Sequence, residues 1–527
     1  VSAARSGATT DILAAVLDAC ADHPGSTAVS FGGSTLTYGE LRARVLRVSA
    51  NLRERGMVRG DRVLFSVRPG IEATFLALGI IAAGGVVVFA DPGAGEEMFR
   101  ARADLAAARW VAAESLLYFA SSGPLRGIAR RRGIVLPPYR TVVPQARHIV
   151  AGRWLPGVPS GAIPVRRLAA GAGAEEGAAT HTSSLDLGDP SGEALIIFTS
   201  GTTADPKAVV HSRRSLGTGL ADFAHATQLR AGDVVLTDQL MVGIPALIAG
   251  AHWVLPATGT APGAGPAGYF ALLAEADVMF AVPATLDGLL ALLEADPGRA
   301  AKLRTVLIGG APVLRPLLAR VGAQVPNAAI RAIYGMTEVL PVAIADGSEK
   351  LEFAGDGDYV GQIASSVSAR ILDGELMVSG PGLMLGYLGK EPISELATGD
   401  LARIEGDRLV LTGRGKEMFI RGTTNVYPGL YEPAIAGLAG VRDVAMVGVP
   451  DPMGDDRVVI VVVPTDPPSG LTDSHPALAS IGRALPGLID TSVLPDALLA
   501  AGSLPRSGRA HKLDRAALTE QVRAYLA

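Results

Sequence analysis

The residues with the clearest chemical potential are Thr199-Ser200-Gly201-Thr202-Thr203-Ala204-Asp205-Pro206-Lys207, which follow the apolar, β-branched run Leu195–Phe198. A strand ending in such a loop can turn backbone N–H groups and Ser/Thr hydroxyls toward phosphate oxygens, with Lys207 adding positive charge. The spacing is not that of the commoner P-loop, because no Gly-Lys-Ser/Thr follows and no helix starts there. The competing reading is an ordinary hydroxyl-rich turn after a buried strand. It loses ground because four further motifs follow in one order.

Those motifs are Tyr334-Gly335-Met336-Thr337-Glu338, Thr398-Gly399-Asp400, Gly413-Arg414-Gly415-Lys416, and Leu504-Pro505-Arg506 through Lys512-Leu513-Asp514-Arg515. Together with Thr199–Lys207 the series resembles the adenylate-forming superfamily of acyl-CoA synthetases, luciferases and peptide-synthetase adenylation domains. The likeness runs from Thr37-Tyr38-Gly39-Glu40-Leu41 and Gly60-Asp61-Arg62-Val63 to Leu513. A single tetrapeptide is weak, whereas five in family order are specific. The resemblance implies a large N-terminal layered α/β domain (1–414) hinged at Lys416 to a smaller C-terminal α+β domain (415–527).

The chemistry it implies is attack of a carboxylate oxygen on the α-phosphorus of ATP, expelling pyrophosphate. Both reactants are anionic, so catalysis is largely positioning and charge neutralisation. By resemblance, Thr199, Ser200, Gly201, Thr202, Thr203 and Lys207 would hold the β- and γ-phosphates. Thr337 would hydrogen-bond the α-phosphate and Glu338 would ligate Mg²⁺. Asp400 would accept the ribose hydroxyls with support from Arg414. Adenine would lie between Gly309-Gly310-Ala311-Pro312 and Tyr334, the latter carried by Gly335 and Met336. Lys512 would bridge the attacking carboxylate and the α-phosphate. Singly, each has a plainer alternative: Glu338 a helix cap, Asp400 a turn aspartate, Lys512 an exposed lysine. His211 and His511 read as incidental neighbours of their lysine motifs and not as catalytic bases.

The elements that must position these residues alternate between two periods. Leu41, Val45, Val48 and Leu52 give Tyr38–Arg55 a helical repeat, while Asp61–Val67 and Val86–Ala90 read as strands. Such alternation argues for an α/β layered sheet. The uncharged run Ala73–Ala90 is split by Gly84-Gly85 into a buried helix, a turn and a strand, not a bilayer span. Leu240–Leu255 reads as a core wall broken by Gly243, Pro245 and Gly250. Residues from about 123 to 193 are rich in Gly, Ala and Pro, and much of that region reads as irregular surface structure, with 171–192 expected to be mobile. Met279–Val282, Val306–Ile308, Glu375–Val378 and Arg408–Leu411 are expected strands. Beyond Gly415 so are Asp443–Val449 and Val458–Val463, with Arg515–Leu526 a closing helix.

Composition bounds the rest. A chain of 527 residues is too long for one ordinary core, and a formal charge of −4 shows no basic excess that would suit nucleic acid. One cysteine, Cys20, excludes an intramolecular disulfide framework and a cysteine zinc cluster. That usage fits a reducing, cytoplasmic setting, and no signal peptide is read. The eight histidines have no metal-ligand spacing.

Departures from the family pattern bear on the product. Ala204 and Ala208 stand where glycines are usual, and His511 precedes Lys512 in place of glycine. Thr423 replaces the second glycine of a pair that lines the pantetheine tunnel of acyl-CoA synthetases. The aromatic-or-histidine gate is absent from Met241-Val242-Gly243-Ile244, so a roomy apolar acid pocket is expected. The expected function is ATP- and Mg²⁺-dependent activation of a bulky or long apolar acid, with CoA as acceptor. Ala90-Asp91-Pro92-Gly93-Ala94-Gly95 and Tyr334–Ala343 resemble instead the β-lactone synthetases of olefin biosynthesis, which act on β-hydroxy acids. A further alternative hands acyl-AMP to a carrier protein or partner enzyme, and another is a non-catalytic nucleotide-binding relative.

Overall fold

Thr37 and Glu40 start the first long helix reciprocally: the Glu40 amide donates to the Thr37 hydroxyl (3.2 Å) and the Thr37 amide to the Glu40 carboxylate (2.9 Å). The helix Tyr38–Glu54 buries Leu41, Val45, Val48 and Leu52 completely, as their spacing predicts. The computed structural model describes residues 9–90, 96–122, 137, 139–171, 187–198, 207–257, 264–414, 419–421, 424–426, 428–450, 456–485, 488–489, 493–507 and 511–526.

Two sheets carry the larger part. In an eight-stranded sheet, Arg62–Ser66, Val86–Phe89, Trp110–Glu114 and Arg147–Ala151 run parallel with Glu193–Phe198, and Ala208–Ser212 folds back antiparallel on the last. In a thirteen-stranded sheet, Val278–Ala281, Thr305–Gly309 and Ala329–Met336 are parallel neighbours, and Val339–Asp346 returns as a hairpin. One apolar cluster joins them: Val87 and Leu195 of the first sheet, Trp253 and Leu307 of the second, and Leu76, Leu216 and Leu247 from helices. The helix Ile71–Ala82 is buried from Ala73 onward and ends at a turn through Gly84. No helix among the described residues is long and apolar enough to cross a membrane.

Beyond residue 428 a smaller sheet forms. Val441–Pro450 pairs antiparallel with Asp456–Pro464, which runs parallel to Ala497–Ala500. The expected strands fall within the first two, and the closing helix spans Arg515–Leu526. Arg515 forks onto Glu432 at 2.7 Å and donates to the Met446 carbonyl, tying that helix to Pro428–Ala436 and to the sheet.

Two expectations are sharpened. Within 123–193, much of it expected to be irregular surface, Arg147–Ala151 is a buried strand beside Trp110–Glu114, and Ile163–Pro164 pairs with it. Its apolar core is only Ile149-Val150-Ala151, too short to stand out from its Gly/Pro-rich surroundings. Residues 172–186, within the stretch expected to be mobile, lie outside the described residues. The wall at 240–255 is not broken at Gly243 or Pro245, because one helix runs from Leu240 to Ile248 and stops only before Gly250. Burial of Val242, Ile244, Ala246 and Leu247 outweighs the proline's missing hydrogen bond. Gly243 is required there: a Cβ would stand 2.1 Å from the Trp253 ring.

Candidate active site

Both large sheets deliver loops from the carboxyl ends of parallel strands, where open α/β sheets bind ligands. Glu193–Phe198 ends where the hydroxyl-rich sequence begins, and Lys207 precedes the returning strand, Phe198 pairing with Ala208. The strand after Lys207 agrees with the absence of a P-loop helix. Thr199, Ser200, Gly201, Thr202 and Thr203 lie outside the described residues.

In the thirteen-stranded sheet, Ala329–Met336 and Val339–Asp346 form a tight hairpin whose turn residues are Thr337 and Glu338. Glu338 is therefore a turn residue and not a helix cap. Gly309 pairs with Ile333, so Gly310, Ala311 and Pro312 emerge beside Tyr334. The Tyr334 phenol donates to Asp400 Oδ2 at 2.5 Å. Asp400 is not a turn aspartate. It lies inside the strand Glu395–Glu405, 2% exposed, and pairs in register with Arg414. The Thr398 hydroxyl accepts the Asp400 amide (3.1 Å), and Glu375 accepts the Gly399 amide (2.7 Å), which fixes the bend at Gly399, φ +76°.

Two residues bind the sheets together here, one that the sequence reading passed over and one that it set aside. Tyr387 lies on Gly386–Tyr387, the outer strand of the eight-stranded sheet, paired with Val209 and Val210. Its phenol donates to Glu338 Oε1 at 2.8 Å, and the Lys207 ammonium stands 5.1 Å over its ring. His211 is not incidental. It is 4% exposed, its Nε2 donates to the Thr337 carbonyl at 2.7 Å, and its Nδ1 faces the Ser215 hydroxyl at 3.1 Å. Burial holds its imidazole below the ordinary value of 6.5, opposed by the bond to Thr337 and the Glu338 charge.

The unfolded chain therefore takes up a proton at His211 first as pH falls. The stability this group contributes is present above about pH 6.5 and lost below it. We expect thermal unfolding of the wild type to fall more steeply between about pH 6.5 and 5 than that of His211→Gln, whose amide can still donate to Thr337. Parallel pH profiles would remove this role from His211.

The donor set at Glu338 suits a hard cation. With one carboxylate oxygen taken by Tyr387, the other can ligate Mg²⁺, which commonly shares its shell between one or two carboxylates and substrate phosphates. No cluster of three or more His, Cys, Asp or Glu groups placed to hold a metal occurs among the described residues.

The remaining expected residues are dispersed. Lys512 is exposed on a hairpin of Arg506–Ser507 and Lys512–Leu513, which Arg506 anchors through Asp443 in the smaller sheet. The structure thus assigns Lys512 to the smaller unit and Thr337, Glu338 and Asp400 to the larger. Lys416, Thr423 and the Arg414 side chain lie outside the described residues. Of the acyl-pocket candidates, Met241 and Ile244 line an apolar cavity with Leu195, Leu216 and Leu220, while Gly243 faces Trp253 and Val242 is buried elsewhere. At about 40 Å³ it is far smaller than the roughly 300–1,000 Å³ of typical ligand sites, so as it stands this cavity is not the roomy pocket expected.

The model of a family described as AMP-binding enzyme matches residues 16–388. A feruloyl-CoA synthase from an Amycolatopsis species is 28% identical over 481 residues, 84% of this chain and 86% of that protein. The olefin beta-lactone synthetase of Xanthomonas campestris is 27% identical over 522 residues, 89% and 88% of the two chains. The fold matches the crystal structure of apo MatB from Rhodopseudomonas palustris with a TM-score of 0.73 at 23% identity, covering 98% of this chain and 100% of that one.

Proposed function

The chain belongs to the AMP-binding enzyme family, and from that membership we propose that it activates a carboxylic acid with ATP, forming an acyl-adenylate and releasing pyrophosphate. The observation that carries this reading is the convergence of separate nucleotide motifs: Tyr334 on Asp400, and Lys207 and Glu338 on one tyrosine.

In this reading the acid's carboxylate attacks the α-phosphorus in line with the departing pyrophosphate. Lys207 and the hydroxyls of 199–203 hold the β- and γ-phosphates, while Thr337 donates to the α-phosphate. Asp400 accepts from the ribose, and Tyr334 covers adenine opposite Gly310-Ala311-Pro312. Glu338 would hold Mg²⁺, which supplies charge neutralisation at the phosphate oxygens. Lys512 would travel with a C-terminal domain (415–527) that turns about Lys416 against the N-terminal domain (1–414), meeting the α-phosphate as charge develops there.

CoA is the proposed acceptor and a bulky or long apolar acid the proposed substrate; the similarity to a feruloyl-CoA synthase and the apolar wall of Leu240–Ile248 support this. A second reading is closure of a β-hydroxyacyl-adenylate to a β-lactone with release of AMP. The similarity to an olefin beta-lactone synthetase along most of both chains favours it. Acid-dependent exchange of pyrophosphate into ATP across a panel of acids tests adenylation, and an absence of exchange with every acid overturns it. Mass analysis with and without CoA then separates a thioester from a product one water lighter than the acid, or from acyl-AMP kept for a carrier or partner enzyme.

A further inference from the structure

We infer that Tyr387 is a positioning residue that sets the Lys207 ammonium and the Glu338 carboxylate at a fixed separation, one through its ring face and the other through its hydroxyl; this rests on the nucleotide reading above. The two groups come from different sheets. Lys207 precedes a strand of the eight-stranded sheet, and Glu338 sits in a hairpin turn of the thirteen-stranded one. Nothing covalent relates them locally, so their spacing must be imposed by packing.

The segment 384–388 imposes it. The Leu385 amide donates to the Val210 carbonyl (2.8 Å) and the Leu388 amide to that of Ala208 (2.8 Å), which fastens the segment to the strand after Lys207. The Met384 amide donates to the Glu338 carbonyl (2.9 Å), which fastens it to the turn. Between these anchors Tyr387 directs its hydroxyl to Glu338 Oε1 and presents its ring to Lys207. An aromatic face attracts an ammonium without neutralising it, so Lys207 keeps its charge for phosphate oxygens. A phenol donor to one carboxylate oxygen fixes the plane of the other.

The two contacts can be separated by substitution. Tyr387→Phe keeps the ring and removes the hydroxyl, whereas Tyr387→Leu removes both. Binding of ATP, measured calorimetrically without acid and at varied Mg²⁺, is the readout. Y387F should need about tenfold more Mg²⁺ for the same tightening of ATP binding, with Mg²⁺-free affinity unchanged, as expected when a carboxylate loses a hydrogen-bond donor. Y387L should show that shift and a several-fold loss of Mg²⁺-free affinity. A merely structural role would lower the melting temperature without separating the two variants.

A Y387F protein that titrates with Mg²⁺ like the wild type overturns the inference and leaves the nucleotide reading standing. Equal Mg²⁺-free affinity in Y387L and wild type also overturns it, by removing the Lys207 contact. A wild-type chain that binds no ATP overturns both.

Discussion

Replacing Lys512 by alanine should lower the rate of adenylation by about 10²–10³-fold while ATP affinity stays within about twofold of wild type. The asymmetry follows from where the residue sits. Lys512 stands exposed on a hairpin of the smaller unit, held there through Arg506 and Asp443, so it should contribute little to the resting nucleotide site proposed at Tyr334 and Asp400. On the proposed mechanism its charge would act when the carboxylate meets the α-phosphate, and an interaction made only then is lost from kcat and not from KM. Acid-dependent pyrophosphate exchange gives the first quantity and direct ATP titration the second. Unchanged exchange in Lys512→Ala would transfer the role elsewhere.

Asp400→Asn should produce the opposite pattern: KM for ATP raised by roughly 10- to 100-fold, kcat at saturation changed far less. Asparagine preserves shape inside the strand but removes the charge proposed to accept the ribose hydroxyls. Charge-assisted hydrogen bonds of this kind contribute about 1.5–3 kcal/mol. Because Asp400 also accepts the Tyr334 phenol, Tyr334→Phe is the control that removes this one donor and keeps the ring for adenine. Equal KM in Asp400→Asn and wild type, with both folded by thermal unfolding, would sever Asp400 from the nucleotide.

The legible part of this site is its contiguous part. Tyr334–Glu338 and Thr398–Asp400 each compress a hairpin turn or strand bend into a few adjacent residues, so both could be singled out before folding. Tyr387 and Glu375 reach the same place across 49 and 24 positions, through strand pairing that leaves no local pattern. His211 carried a misleading local signal: next to a lysine motif it looked incidental, whereas its partner lies 126 residues away. In the fold, helices with a clean repeat such as Tyr38–Glu54 were recognisable, and so were strands flanked by turns. Arg147–Ala151 was not, because its stability comes from Trp110–Glu114 beside it. Leu240–Ile248 was misjudged because local glycine and proline propensities were set against a burial that only the assembled core supplies.

His211 on Thr337 and Tyr387 on Glu338 also make the seam between the two sheets a thermodynamic element in its own right. A nucleotide held as proposed, by Lys207 on one side and the Thr337–Glu338 turn on the other, would bridge that seam, so part of its binding free energy would become resistance of the seam to opening. At a hundred times its dissociation constant such a ligand adds about 2.7 kcal/mol to the folded state. On that proposal substrate occupancy would act as a reversible fastener between the two sheets, and the resting enzyme would be the form in which a chaperone or protease parts that boundary most easily.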